Sequence, residues 1–128
     1  MTKKIKLVRG DTKPHVKVVV RDDETKEPIN VSGGTVRLLF RKAGESALQA
    51  TVTGTLLAGM EDEDGNVSTA PPYDVAGYGG RVAFPWADGD LDCEPGQYEG
   101  EIKVTFSDST RQTVFELLKF EVRSALGE

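Results

Sequence analysis

Three things are scarce in this sequence, and each scarcity removes a class of function. There is one cysteine, Cys93, so the chain forms no internal disulfide and is expected to be held by packing and hydrogen bonds, as in proteins made in a reducing compartment. There is one histidine, His15, beside Pro14 at the head of a valine-rich run. Ser-His-Asp and Cys-His chemistry both need an imidazole next to the nucleophile, so the expectation is no enzyme and no catalytic residue. Long apolar runs are missing as well. Nothing approaches the roughly 20 residues of a transmembrane helix, and Met1-Thr2-Lys3-Lys4-Ile5-Lys6 enters alternation without a signal peptide's apolar stretch. No membrane partner is expected, and synthesis is expected in the cytosol.

An excess of basic residues is also absent. The 16 Lys and Arg against 21 Asp and Glu give a formal charge of −5, the wrong sign for a chain that grips phosphates, so no nucleic-acid partner is expected. The charge is uneven. Lys3, Lys4, Lys6 and Arg9 make the opening basic, whereas Glu61-Asp62-Glu63-Asp64 and the trio Asp88, Asp90 and Asp92 are acidic. Such asymmetry can bias how copies dock head to tail, but solvated strand faces and loops are the preferred reading.

What is present is period-two alternation, the signature of strands with one buried face. Ile5 and Leu7 alternate with lysines, Val16, Val18 and Val20 with Lys17 and Val19, and Val36, Leu38 and Phe40 with Arg37, Leu39 and Arg41. A fourth extended segment is expected from Leu48 to Leu57, rich in Thr and Val. Residues 58–80 read as one long loop or as a small hairpin insertion turning at Asp64-Gly65. Alternation resumes at Val82 and Phe84 and is clearest from Tyr98 to Phe106. The apolar residues of the last strand, Phe115, Leu117, Leu118, Phe120 and Val122, break phase, which predicts a bulge near Leu117. About seven strands punctuated by turns, with no amphipathic helix, predict an all-β fold: one antiparallel β-sandwich domain of immunoglobulin-like type spanning 1–128.

Two residues near turns have expected structural roles. Glu94-Pro95-Gly96-Gln97-Tyr98 places Tyr98 at the start of a strong strand after a tight turn at Gly96, as in a tyrosine corner, where the phenol hydroxyl bonds back to nearby backbone. A core aromatic reads equally well there. Trp86 beside a strand reads as a core plug, whereas Tyr73 and Tyr78 read as exposed loop or interface residues.

Motifs for cofactors and metals fail on their spacing. Aligning Gly65 with the glycine of a calcium-binding EF-hand loop puts Met60 at the first ligand position and Pro71 where the bidentate Glu belongs. Gly77-Tyr78-Gly79-Gly80 lacks the Lys and Ser/Thr of a phosphate-binding loop. Arg9-Gly10-Asp11 serves as a turn between the first two strands. The expectation is no metal and no cofactor.

One resemblance spans nearly the whole chain. Leu7-Val8-Arg9-Gly10-Asp11-Thr12 precedes a valine-rich strand, and Pro28-Ile29-Asn30-Val31-Ser32-Gly33-Gly34-Thr35-Val36 leads into Leu38-Leu39-Phe40. Gly80-Arg81-Val82-Ala83-Phe84-Pro85-Trp86, Gly89-Asp90, Pro95-Gly96-Gln97-Tyr98 and Glu101-Ile102-Lys103-Val104-Thr105-Phe106-Ser107-Asp108 follow. In order and spacing these pieces resemble the immunoglobulin-like N-terminal domain of phage baseplate upper proteins and related small virion proteins of tailed phages. The resemblance implies a virion structural protein of the tail, baseplate or head surface, made in the host cytoplasm and present in symmetric copies. Its partners would be other virion proteins and, as a homo-oligomer, itself. Long family members continue into a coiled coil or receptor-binding module, and this sequence stops at Glu128, so a receptor-binding role is not expected and decoration, adaptor or fibre-anchoring roles stay open. Candidate interface residues are Lys3, Lys4, Lys6, Tyr73 and Tyr78. The alternative is a ligand-binding accessory module of carbohydrate or adhesin type.

Overall fold

A computed structural model describes residues 4–127, and these are all-β, with no helix among the described residues. One sheet holds six strands: β1 (Ile5–Val8), β3 (Thr35–Lys42), β4 (Leu48–Thr53), β9 (Gly96–Thr105), β10 (Arg111–Thr113) and β11 (Leu118–Arg123). Its order is β1-β11-β9-β3-β4, with β10 also on β9. The second sheet places β8 (Arg81–Phe84) between β2 (Val16–Val19) and β5 (Thr55–Leu56), and β6 (Met60–Glu61) pairs with β7 (Val67–Ser68) in a separate hairpin. Pairing is antiparallel throughout except for β1, which runs parallel to β11 with Ile5 opposite Phe120. That parallel pair corrects the expectation of a wholly antiparallel arrangement.

The alternation becomes two facing layers. Val36, Leu38 and Phe40 of β3, Tyr98, Ile102 and Val104 of β9, and Phe120 and Val122 of β11 point inward from the large sheet. They meet Val16 and Val20 at β2 and Val82 and Phe84 of β8 in a single core. Phe40 is fully buried at its centre. Its ring stacks on Tyr98 at 4.9 Å between centroids and meets Trp86 and Phe120 edge-on at 5.0 and 5.1 Å, geometries that add to plain area burial. Gly100 lies opposite Phe40 in the pairing of β3 with β9. A Cβ there would come within 2.6 Å of Leu38 Cδ1 and 2.9 Å of Phe120 Cε1, so the rings close directly over bare backbone.

Two segments depart from the sequence expectation. The stretch 48–57 is not one strand. It runs as β4 along the edge of the large sheet, breaks at Gly54, and continues as β5 in the small one. Gly54 donates its amide to the Val36 carbonyl at 2.7 Å, and a Cβ at that crossing would collide with Val82 and Phe84. The last expected strand is also divided. Between Thr113 opposite Lys103 and Leu118 opposite Gly100 the chain carries four residues against two on β9, a larger interruption than a single-residue bulge.

The outer face of the large sheet is charged. Arg41 contacts Glu99 Oε1 through Nη2 at 2.7 Å and Nε at 2.9 Å, and Lys119 Nζ lies 3.4 Å from Oε2. Glu99 is 8% exposed. Burial alone would raise its carboxyl pKa, but the hydrogen bonds from Arg41 and Lys119 outweigh it and hold the group below its ordinary value.

Two outcomes follow. Gly100→Ala should lower unfolding free energy by about 1 to 3 kcal/mol, read by urea denaturation, because the new methyl has no unoccupied space. Because the folded-state pKa of Glu99 is depressed, its contribution is present above the ordinary Glu value of about 4.3 and disappears as pH falls through the folded value. Glu99→Gln should therefore cost about 1 to 2 kcal/mol at neutral pH, and wild type and variant should converge in acid.

Candidate functional site

Gly96 opens β9 with φ +148°, a backbone conformation that favours glycine. Two residues later the Tyr98 hydroxyl donates to the Glu94 carbonyl at 2.6 Å while its ring stacks in the core, so the residue is corner and core at once. Burial, and after it the adjacent Cys93 thiol, push the phenol above its ordinary range. Trp86 is a core residue, and its indole N–H has no partner among the described residues. Neither lines the depressions flanked by Arg21 and Lys26.

Tyr73 and Tyr78 come together. A turn closed by Tyr73 N–H to Ala70 O and another by Tyr78 N–H to Val75 O bring the half-buried rings to 5.6 Å at 78°. The loop is fastened to the preceding segment by Gly59 N–H to Tyr73 O at 2.7 Å. Residues 58–80 thus form an ordered hairpin plus turns, with Asp62 Oδ1 accepting from the amides of Asp64 and Asn66 at the tip. The tyrosines line a depression of about 410 Å³ together with Arg21, Lys26, Asn30 and Met60.

Arg21 and Lys26 also line a second depression, of about 250 Å³, on the other side of the turn between them. Its apolar wall is Val19, Ile102, Val114 and Leu118. The ridge between the depressions is rigidly built. Arg21 bridges to Pro28, Arg21 Nη1 donates to Lys26 O, and Asp22 Oδ1 accepts from the amides of Glu24 and Thr25. The bonds from Thr25 and Glu24 hold the Asp22 carboxyl below its ordinary pKa. Lys26 itself sits at φ +64°, which costs a residue bearing a Cβ on the order of 1 kcal/mol.

Phe115 lies between Val114 and Glu116, which line the second depression, and is not itself part of that lining. It lies in the interruption between β10 and β11, is 87% exposed, and directs its amide to Asp23 Oδ2 at 3.4 Å. The sequence places Phe115 in a strand, and the structure turns it out to solvent. The signal was the phase break from Phe115 to Leu118: two registers cannot both face the core, so an apolar residue must face outward. Arg21 and Lys26 carried no comparable signal, because a charged turn looks the same whether or not it flanks a groove.

The basic residues of the opening are elsewhere. Lys4 and Lys6 are exposed, Lys6 on β1 opposite Glu121, and neither lines the tyrosine depression. Lys3 lies outside the described residues. His15 is exposed at the entry to β2, and Cys93 is buried. No cluster of three or more metal-ligating side chains occurs among the described residues. The assembled surface offers apolar area, aromatic edges and mixed charge, which suit recognition of another macromolecule.

No protein-family model matches the sequence, and no curated protein matches it significantly.

Phe115→Ser should leave unfolding free energy within about 0.5 kcal/mol, since the ring buries little. Lys26→Gly should hold or raise stability by up to about 1 kcal/mol by relieving the positive φ. Thermal and urea unfolding of the two variants check both expectations.

Proposed function

We propose that this chain is an immunoglobulin-like β-sandwich subunit of a tailed-phage virion, at the tail, baseplate or head surface, working by protein–protein docking rather than catalysis. The observation that carries the docking reading is Phe115, an aromatic side chain held in solvent by a built interruption whose flanking residues Val114 and Leu118 line a depression of mixed apolar and charged character. Covering such a ring with a partner removes its apolar area from water and is favourable. The tyrosine pair across the Arg21–Lys26 ridge extends the same surface, and Tyr and Phe anchors beside a charged rim are the composition of interface centres. The virion assignment is supported by the ordered series of pieces from Leu7 to Asp108. The immunoglobulin-like type is supported by the hydroxyl-to-backbone bond of Tyr98 at the start of β9.

In this reading the chain is made in the host cytoplasm and ends in the particle, where symmetric repetition multiplies weak contacts. It needs no cofactor. The second reading, a carbohydrate- or adhesin-type accessory module, draws on the tyrosine depression. It ranks lower because the rings are half-buried and nearly perpendicular rather than coplanar, so they present no flat platform for a sugar.

Antibody against the chain should label purified phage particles at one fixed position by immunogold electron microscopy. Particles carrying Phe115→Ser together with Tyr73→Ser should lose at least about tenfold of the label, as expected for two interface anchors, while the free variant stays folded. Particles without label, or full incorporation of the double variant, would remove the reading.

A further inference from the structure

Charge is left unmatched at two separate places on this molecule. On the outer face of the large sheet, Arg41 and Lys119 are both paired with the Glu99 carboxylate. At the other end of that face the pattern reverses. Arg37 stands directly opposite Lys103 across β3 and β9, and Arg111 lies opposite Thr105 in the next pairing of β10 with β9. Like charges directly opposite one another destabilise a sheet. All three cations line one hollow of about 470 Å³, with Leu39, Thr51 and Thr113 between them. Among the described residues the one ion pair that any of them makes is from Lys103 to Glu101 at 3.8 Å, with both side chains about half exposed, where such a contact is weak. Arg37 and Arg111 make no ion pair among the described residues.

The opposite charge is concentrated at the tip of the β6–β7 hairpin. Asp62 uses its carboxylate to close the turn, and its amide bonds to Asn66 O at 2.9 Å. Glu63 and Asp64 are left exposed at the apex of a narrow, braced projection, with no ion pair among the described residues. This hairpin follows β5 of the small sheet, whereas the cationic hollow is on the outer face of the large one. Acidic tip and basic seat are therefore distinct surfaces carried by every copy.

We propose that the hollow lined by Arg37, Lys103 and Arg111 seats the acidic hairpin tip of a second copy of this chain. Because one surface meets a different one, the contact is heterologous and propagates into a ring or an open row. Each exposed charge pair is weak, so the contact forms at high local concentration and low salt and is screened as salt rises. It is separate from the aromatic surface around Phe115, which would dock a different protein.

Sedimentation velocity tests the contact. Wild-type protein at high concentration should show a weight-average mass rising roughly twofold or more above 13.9 kDa at about 0.02 M ionic strength, and returning to monomer near about 0.5 M. Arg37→Glu with Lys103→Glu should abolish association, as should Glu63→Lys with Asp64→Lys. An equimolar mixture of the two variants should restore it, since each then offers the surface the other lacks. A wild type that stays monomeric at low salt overturns the proposal. So does association that survives either reversal, a mixture that fails to recombine, or association lost on Phe115→Ser instead. Particle labelling is a separate readout, because docking to a foreign virion protein requires no contact between copies in solution.

Discussion

The contact between Phe40 and its three aromatic neighbours governs the rest of the structure. Phe40 belongs to a central strand of the large sheet, Tyr98 and Phe120 to the two strands beyond it, and Trp86 to the segment leaving the small sheet, so one cluster ties both layers together. The cluster needs a floor without side chains, and Gly100 supplies it. It also needs the crossing between β9 and the preceding turn to be fixed, which Gly96 and the Tyr98 hydroxyl accomplish. With no disulfide available to Cys93, this packing is the main restraint on how the two layers sit.

Around that centre the periphery is free to be irregular, and the irregularities create the surfaces. The four residues that interrupt β10 and β11 expose Phe115 and leave Val114 and Leu118 lining a groove. The turn from Arg21 to Pro28 rises between that groove and the tyrosine depression. Strain at Lys26 is tolerated because several hydrogen bonds brace the same turn. A rigid core with strained, exposed features at its rim is the pattern expected where binding surfaces are carried by loops on a fixed scaffold.

Much of the fold was legible along the chain because inward and outward positions alternate locally. Val36, Leu38 and Phe40, and likewise Tyr98, Ile102 and Val104, show their buried face in sequence and occupy it in space. The turn chemistry of Asp64-Gly65 left a hairpin and a long loop both open, and the structure forms the hairpin. Sheet membership was not legible. Nothing in Thr51-Val52-Thr53-Gly54-Thr55 says that the chain changes sheets at the glycine, because the requirement comes from Val82 and Phe84, about thirty residues later in the chain. The pairing of Ile5 with Phe120 is equally non-local. Of the candidate surface, the tyrosines were legible as loop residues close in sequence. That Val114 and Leu118 share a depression with Arg21 and Lys26 depends on tertiary contacts that no local pattern encodes.

The parallel course of β1 beside β11 sets a polarity for attachment. Ile5 lies level with Phe120 and Val8 with Arg123, so the polypeptide enters the large sheet at one pole and leaves it at the other. A protein joined ahead of β1 therefore projects from the pole nearer Leu118, and one joined after β11 from the pole nearer Gly10. Subunits linked in tandem through these strands would be strung in line like beads rather than folded back side by side.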